Sequence, residues 1–370
     1  MDQVNIGFLG AGGIARAHAY ALKALAFYYP ETPAIGLVSV ASARPESREA
    51  FATRFGFSHA ESPEALTSRT DIDTVFIMGP NHTHFGHFRA ALAMKGIRRI
   101  YLEKPVCSSQ EEEVAMVGLA ASARGRVDIQ VGFQYLQTPA VREALAFWKS
   151  GILGKPVHFD LKYYHGDYLR KSYREKRVTR LTPAPDGGAM ADLGSHGLSL
   201  LTAFLGNGLQ MVHALQAGTF PDVPAGSDLF SSVALTDPMT GAAGHLSASR
   251  ITAGSGDLVL LEIFAEKGAL RFSSQNPDYF EYFLEEQEHW VRQPVGSHYR
   301  GITAFPSGHV PAGWLRSMVH AHYLFLGGSD PAAFVPTLTH GLEVQRLVRE
   351  TAFHLTRYRE QILQIKKNHP

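Results

Sequence analysis

Cysteine is nearly missing: Cys107 is the single one in 370 residues, so no intramolecular disulfide can form and a reducing compartment suits the chain. Long hydrophobic runs are missing too, none reaching the roughly 18 residues that a membrane-spanning helix needs. Charge of one sign is not in excess. The formal net charge is +1, which gives neither nucleic acid nor an anionic membrane a reason to bind. Met1-Asp2-Gln3 leads straight into an apolar run without a basic n-region or an h-region, so no secretory signal is expected and the cytoplasm is the default. His82, His84 and His87 have no cysteine or carboxylate beside them, and their spacing fits no common zinc pattern, so no metal is expected.

What is present describes a folded enzyme-sized chain. Hydrophobic content of 45% with 19% charge is globular composition, and the length exceeds one ordinary core, which predicts two domains. Val4 to Leu9 is a compact apolar run, as a buried parallel strand requires. Gly10-Ala11-Gly12-Gly13-Ile14-Ala15 follows at once and opens a helical stretch from Ala15 to Phe27. A GxGxxA turn between strand and helix lets the backbone turn tightly and brings a pyrophosphate to the helix N-terminus, where amide donors favour anions. Gly10, Gly12, Gly13 and Ile14 are therefore expected at a dinucleotide.

The second strand, Ile35 to Ala41, bears on which dinucleotide. An NAD site wants an acid at its end to bind the ribose hydroxyls; this chain has Ser42-Ala43-Arg44-Pro45 instead. Pro45 suits the first position of a helix, which puts Arg44 at an N-cap it serves badly. Ser42 and Arg44 could together hold a 2′-phosphate, so NADP is favoured and NAD is the alternative. Asp73 to Met78 is the next buried strand, ending at Pro80-Asn81-His82-Thr83-His84. There Asn81 is expected at the nicotinamide ribose and His84 at the cofactor cleft. Ile100-Tyr101-Leu102 then runs into Glu103-Lys104-Pro105. A residue before proline is held extended, so Lys104 is expected at a strand's C-terminal end, where open α/β sheets bind ligands.

These motifs in this order resemble the glucose–fructose oxidoreductase and inositol dehydrogenase (Gfo/Idh/MocA) family. The resemblance implies an α/β chain: a Rossmann dinucleotide-binding domain over residues 1–133, then an α+β domain over 134–370 with a large, mostly antiparallel open sheet. It implies that Glu103-Lys104-Pro105 lies at the cofactor and that Lys104 contacts both substrate and nicotinamide. Gln134 and Tyr135 stand where family members often carry arginine or lysine, so these two are expected at the carboxamide and the substrate. A glycine–aromatic turn, Gly313-Trp314, resembles one that closes over the pocket in some members and makes His309 a candidate substrate contact.

The second constellation is Gly187-Gly188-Ala189-Met190-Ala191-Asp192-Leu193-Gly194-Ser195-His196. After the glycines the pattern is helical, and Asp192 and His196, four apart, share a helix face. Oxidising a secondary alcohol needs a base for the proton, and histidine suits neutral pH. A neighbouring carboxylate orients the imidazole and favours its protonated form. The match to the family's second motif implies that His196 is the acid/base and Asp192 its partner, with Lys104 stabilising charge on the same oxygen.

Between these motifs, residues 165–186 form an irregular basic segment, expected as a solvated arm or oligomer contact, with a lid for an anionic substrate as the other reading. Strand-like runs separated by turn chemistry fill 211–284, predicting a meander-like sheet with one face in need of cover, hence a homo-oligomer, dimer or tetramer, built through it. A terminal helix is predicted over about 338–358. The expected activity is hydride transfer between a nicotinamide and a secondary alcohol or ketone of a sugar or polyol. A glycoside-cleaving enzyme of the same fold and a non-catalytic sugar- or dinucleotide-sensing regulator are the alternatives.

Overall fold

The computed structural model describes residues 3–29, 31–184, 187–217, 220–295 and 312–368. The chain divides into two units, Met1–Gln137 with Trp314–Leu342, and Thr138–Gly313 with Glu343–Pro370.

The first unit is a six-stranded parallel sheet in the order β3-β2-β1-β4-β5-β6, built from β1 (Val4–Leu9), β2 (Ile35–Ala41), β3 (His59–Glu61), β4 (Thr74–Ile77), β5 (Arg99–Leu102) and β6 (Asp128–Val131). The order reverses between β1 and β4, the switch point at which such sheets bind ligands. β1, β4 and β5 are almost wholly buried, which is why they read as continuous apolar runs without alternation. Helices α1 (Gly13–Tyr28), α2 (Pro45–Phe55), α3 (Pro63–Thr67), α4 (His84–Leu92) and α5 (Gln110–Ala123) connect them. Capping follows the sequence signals. Ser62 caps α3 and Ser109 caps α5 through their side-chain oxygens, and Arg44 sits at the N-cap of α2 with no side-chain cap bond.

The second unit opens with α6 (Pro139–Lys149) and carries an eight-stranded sheet in the order β14-β13-β12-β11-β7-β10-β9-β8. The strands are β7 (Pro156–Tyr164), β8 (Gln210–Ala217), β9 (Phe230–Thr236), β10 (Ala243–Ser249), β11 (Leu258–Ala265), β12 (Gly268–Ser273), β13 (Tyr279–Leu284) and β14 (His289–Pro294). The sheet is mostly antiparallel but not a simple meander. β7 enters between β10 and β11 and pairs parallel with β10, so the β10–β11 connection crosses it. Along β7, Phe159, Leu161 and Tyr163 are buried while the residues between them are not, the alternation of a one-faced strand.

The basic segment is folded rather than a loose arm. It holds a short helix α7 (Lys171–Glu175) and packs Tyr168 and Leu181 with Leu229 in a small core of its own. Arg174 is buried there, forked onto the carboxylate of Asp222 at 2.8 Å through Nε and one terminal nitrogen. After the double glycine come a π-helical turn, Met190–Gly194, and α8 (Ser195–Leu205). α8 lies close on the sheet: a Cβ at Gly197 would sit 2.6 Å from Leu161 and 2.7 Å from Leu246.

Two boundaries differ from expectation. The first unit is not confined to the N-terminal third, because α9 (Ala312–Phe325) and the residues after it return to it. The amide of Val131 donates to the carbonyl of Pro336, and Gln130 bridges to Thr337. The terminal helix α10 runs Leu338–Asn368, ten residues past the predicted end. Its last turns are rich in Arg, Gln, Glu and Lys, good helix formers that need no buried face. Among the described residues no helix is long and apolar enough to cross a membrane.

Candidate functional site

In the first unit the glycine turn joins β1 to α1. Gly10 has φ +137°, and a Cβ there would lie 2.6 Å from the backbone of Met78 at the end of β4, so no other residue fits. Gly12 and Gly13 are exposed, and a Cβ on either would meet nothing within 4 Å. Open space in front of unpaired helix amides, with no acid in the first turn of α1, fits a dinucleotide pyrophosphate. At the end of β2, Arg44 is exposed. The Ser42 hydroxyl donates to the Arg44 carbonyl (3.0 Å), and Arg48 donates to the Ser42 carbonyl (2.9 Å). Arg48, which sequence reasoning passed over, thus brings a second guanidinium to the same turn. Its signal was the i, i+4 spacing from Arg44. Glu61, on the neighbouring strand, is engaged by Ser39 and Arg69.

Asn81 begins a 3-10 turn, Asn81–Thr83, and Lys104 is half-buried just past the end of β5. Two expected cofactor contacts are placed differently. His84 is buried, and its ring nitrogens face the carbonyl oxygens of Pro105 (2.6 Å) and Gly79 (2.9 Å). It ties the segment after Lys104 to the end of β4 instead of facing a cleft, because one turn of α4 points its first residue back at the sheet. Glu103 is 5% exposed and turned into the core, where its Oε1 accepts from Nε2 of His18 at 2.9 Å. Gln134 and Tyr135 are both buried in a 3-10 turn, Gln134–Gln137. His309 lies outside the described residues. Among those described, no cluster of histidine, cysteine and carboxylate could hold a metal.

In the second unit Asp192 lies within the π-turn and His196 in the first turn of α8. Asp192 is gripped by arginine: its Oδ2 accepts from Arg250 at 2.8 Å and from Arg180 at 3.4 Å. Arg250 directly follows β10, is buried, and lies over the Tyr168 ring. Burial works against its charge, but Asp192 and Tyr168 outweigh this and hold its pKa above the ordinary arginine value. His196 is buried, its ring centroid 6.0 Å from that of Tyr163. The Tyr163 hydroxyl donates to Asp257 (3.1 Å), a residue in the left-handed region at φ +49°. Burial pushes the Asp257 carboxyl up, opposed by His165 and by Tyr163. Burial pushes the His165 imidazole down, opposed by Asp257, Asp167 and Asp192. A strained acid facing a half-buried histidine near Asp192 has the character of a functional site. Neither Asp257 nor His165 carried a sequence signal of its own.

The double glycine has a physical reason. Gly188 has φ +86°, and a Cβ there would lie 2.5 Å from the Asp228 side chain. Asp228 occupies that space to accept from the Met190 amide at 2.8 Å, while its carbonyl accepts from Ala189 at 2.9 Å. It thus caps, from just ahead of β9, the helical turn bearing Asp192 and His196. Burial pushes its carboxyl up against the Met190 amide and Arg250. Behind this turn is a cavity of about 240 Å³ lined by Arg180, Met190, Asp228 and α10 residues including Arg359, but not by His165 or His196.

Comparison with known proteins agrees with both halves. Residues 4–133 match the oxidoreductase family with an NAD-binding Rossmann fold, and residues 141–271 match the GFO/IDH/MocA C-terminal domain. Levoglucosan dehydrogenase of Pseudarthrobacter phenanthrenivorans is 25% identical over 93% of this chain and 94% of its own. Inositol 2-dehydrogenase of Acidothermus cellulolyticus is 25% identical over 94% of each. The solved structure of a levoglucosan dehydrogenase in complex with NADH and levoglucosan superposes with a TM-score of 0.81 at 23% identity, covering 96% of this chain and 98% of that one.

Proposed function

The chain belongs to the Gfo/Idh/MocA family of oxidoreductases with an NAD-binding Rossmann fold, and from that premise we propose that it oxidises a secondary alcohol of an uncharged sugar or polyol, or reduces the ketone, with NADP favoured over NAD. The observation that carries the reading is the open glycine turn at the switch point of a sheet whose fifth strand delivers Lys104.

When bound, the nicotinamide supplies the acceptor or donor of the hydride. Gly10, Gly12, Gly13 and Ile14 would receive its pyrophosphate, Asn81 its ribose, and Arg44 with Arg48 a 2′-phosphate. The ammonium of Lys104 donates a hydrogen bond to the reacting oxygen and stabilises charge as the alkoxide develops. His196 takes the proton. Asp192, neutralised by Arg250, serves as a fixed acceptor for a substrate hydroxyl, and Tyr163 and Asp257 shape the wall beside His196.

An uncharged substrate is supported by the basic segment, three of whose six cations are already matched by anions. Arg174 is engaged by Asp222, Arg170 by Asp167, and Arg180 by Asp192, so these cations already have anions. Assembly is proposed through the sheet of the second unit, whose outward residues include His158, Phe264 and Trp290. His158 and Phe264 stack at 4.3 Å, an apolar, pre-ordered patch.

The test is turnover by the purified protein with NADP and with NAD against neutral polyols and aldoses and their phosphate esters. Reduction of NADP by a neutral compound, with its ester at least tenfold poorer, is the expected result. A preference for the ester, or for NAD, counts against the corresponding part of the reading.

A further inference from the structure

Beneath Lys104, within the first unit, a buried chain of three ionisable side chains has no place in the chemistry described so far. Nε2 of His18, on the inner face of α1, donates to Glu103 Oε1 at 2.9 Å. Nδ1 of His18 lies 2.9 Å from Nε2 of His322 on α9, so these two nitrogens share one proton. Both imidazoles are fully buried. Burial, and then the proximity of His18, hold the His322 pKa well below the ordinary histidine value.

The surroundings leave the chain little freedom. The two rings stack at 4.9 Å, and His18 meets Phe76 and Tyr101 edge-on at 5.4 and 5.0 Å. Phe325 closes the box against Phe76 and Tyr101. On the opposite side, Gly132 provides the room: a Cβ there would collide with Glu103 Oε1. A carboxylate in such an apolar box is expensive unless it is paired and hydrogen-bonded. A leucine at position 103 would fill the space with no such demand. The polar chain therefore fixes something that apolar packing would not.

We infer that Glu103, His18 and His322 are positioning residues for Lys104: the hydrogen-bonded chain fixes the Glu103 side chain, and through the backbone that the two neighbours share just past the end of β5 it fixes where Lys104 stands. The same chain ties that lysine to the helix that begins at the glycine turn, so α1 and the end of β5 keep one register. An error of an ångström in a reacting group can cost about a hundredfold in rate, which gives a buried array of this kind a kinetic role beyond stability. The inference rests on the reading that Lys104 touches the reacting oxygen.

The experiment compares His18→Leu, His18→Gln and Lys104→Ala by steady-state turnover of the best neutral polyol, by dinucleotide affinity from fluorescence, and by the carbon-13 signal of methylated Lys104 in the cofactor-free protein. That signal is assigned by its loss in Lys104→Ala. His18→Leu is expected to lower kcat at least tenfold with dinucleotide Kd changed less than about twofold, and to displace the lysine signal. His18→Gln, which can donate to Glu103 and accept from His322, is expected to restore both. If His18→Leu does not fold, His322→Phe keeps the stack and removes the Nε2 contact, and it carries the same expectation. A folded His18→Leu or His322→Phe protein with unchanged kcat and unchanged lysine signal overturns the inference, as does a loss that only follows dinucleotide affinity. Full turnover by Lys104→Ala would instead end the functional reading on which the inference rests.

Discussion

Asp192 has one partner that no local pattern could have supplied. The double glycine, the aspartate and the histidine four positions on are visible in the sequence, but Arg250 lies 58 positions away and only the sheet brings it to the carboxylate. Removing one member of a buried ion pair leaves the other uncompensated. Arg250→Met and Asp192→Asn should therefore each destabilise the second unit by about 3 kcal/mol in urea unfolding, and Asp192→Asn should in addition lower kcat by about a hundredfold through the lost acceptor. Arg44 was legible because it is a poor N-cap, an oddity readable without coordinates. Combined Arg44→Ala and Arg48→Ala substitutions should raise KM for NADP about ten- to a hundredfold, the value of one charge-assisted contact, and leave KM for NAD nearly unchanged. Glu103 and His84 were misplaced because the motifs carry residue identity but not the side of the chain to which each side chain turns.

At the level of elements, apolar runs located β1, β2, β4 and β5 to within a residue or two, while β3, only three residues long, gave no such run. The signals were local: buried parallel strands, and Pro45 as a first helical residue. β14 escaped notice because its residues are mostly exposed and polar, with no alternation to read. The π-turn escaped because it depends on Asp228, 38 positions downstream of the Met190 amide it accepts from. Asp228→Ala removes that cap and should lower kcat more than tenfold, with about 1–2 kcal/mol of stability lost. Asp228→Asn, a neutral acceptor of the same shape for a carboxyl already pushed toward its protonated form, should retain most activity. The two variants together separate capping from charge.

At the scale of the whole molecule, the return of Trp314–Leu342 to the first unit was not readable, since it depends on pairing with β6 across some two hundred positions. That return also sets acid sensitivity. The folded pKa of His322 lies well below its unfolded value of about 6.5. On acidification below that value the unfolded chain takes a proton that the folded one refuses. Stability is therefore present above about pH 6.5 and lost as pH falls toward the folded pKa, by up to about 1.4 kcal/mol per pH unit. His322→Phe should flatten the fall of Tm between neutral and mildly acidic pH. Assembly is tested by Trp290→Asp, which should shift the sedimentation coefficient toward the monomer while leaving the circular dichroism spectrum unchanged.

The central claim is that Lys104 and His196 carry one alcohol oxidation, and it is tested most directly by the near-ultraviolet absorbance of reduced nicotinamide formed from a neutral polyol. The wild-type chain should produce it in proportion to the alcohol consumed, and Lys104→Ala and His196→Asn should each slow it by about 10²–10⁴-fold while still binding dinucleotide. Consumption of substrate with no net reduced cofactor, or either variant turning over at the wild-type rate, would contradict the account.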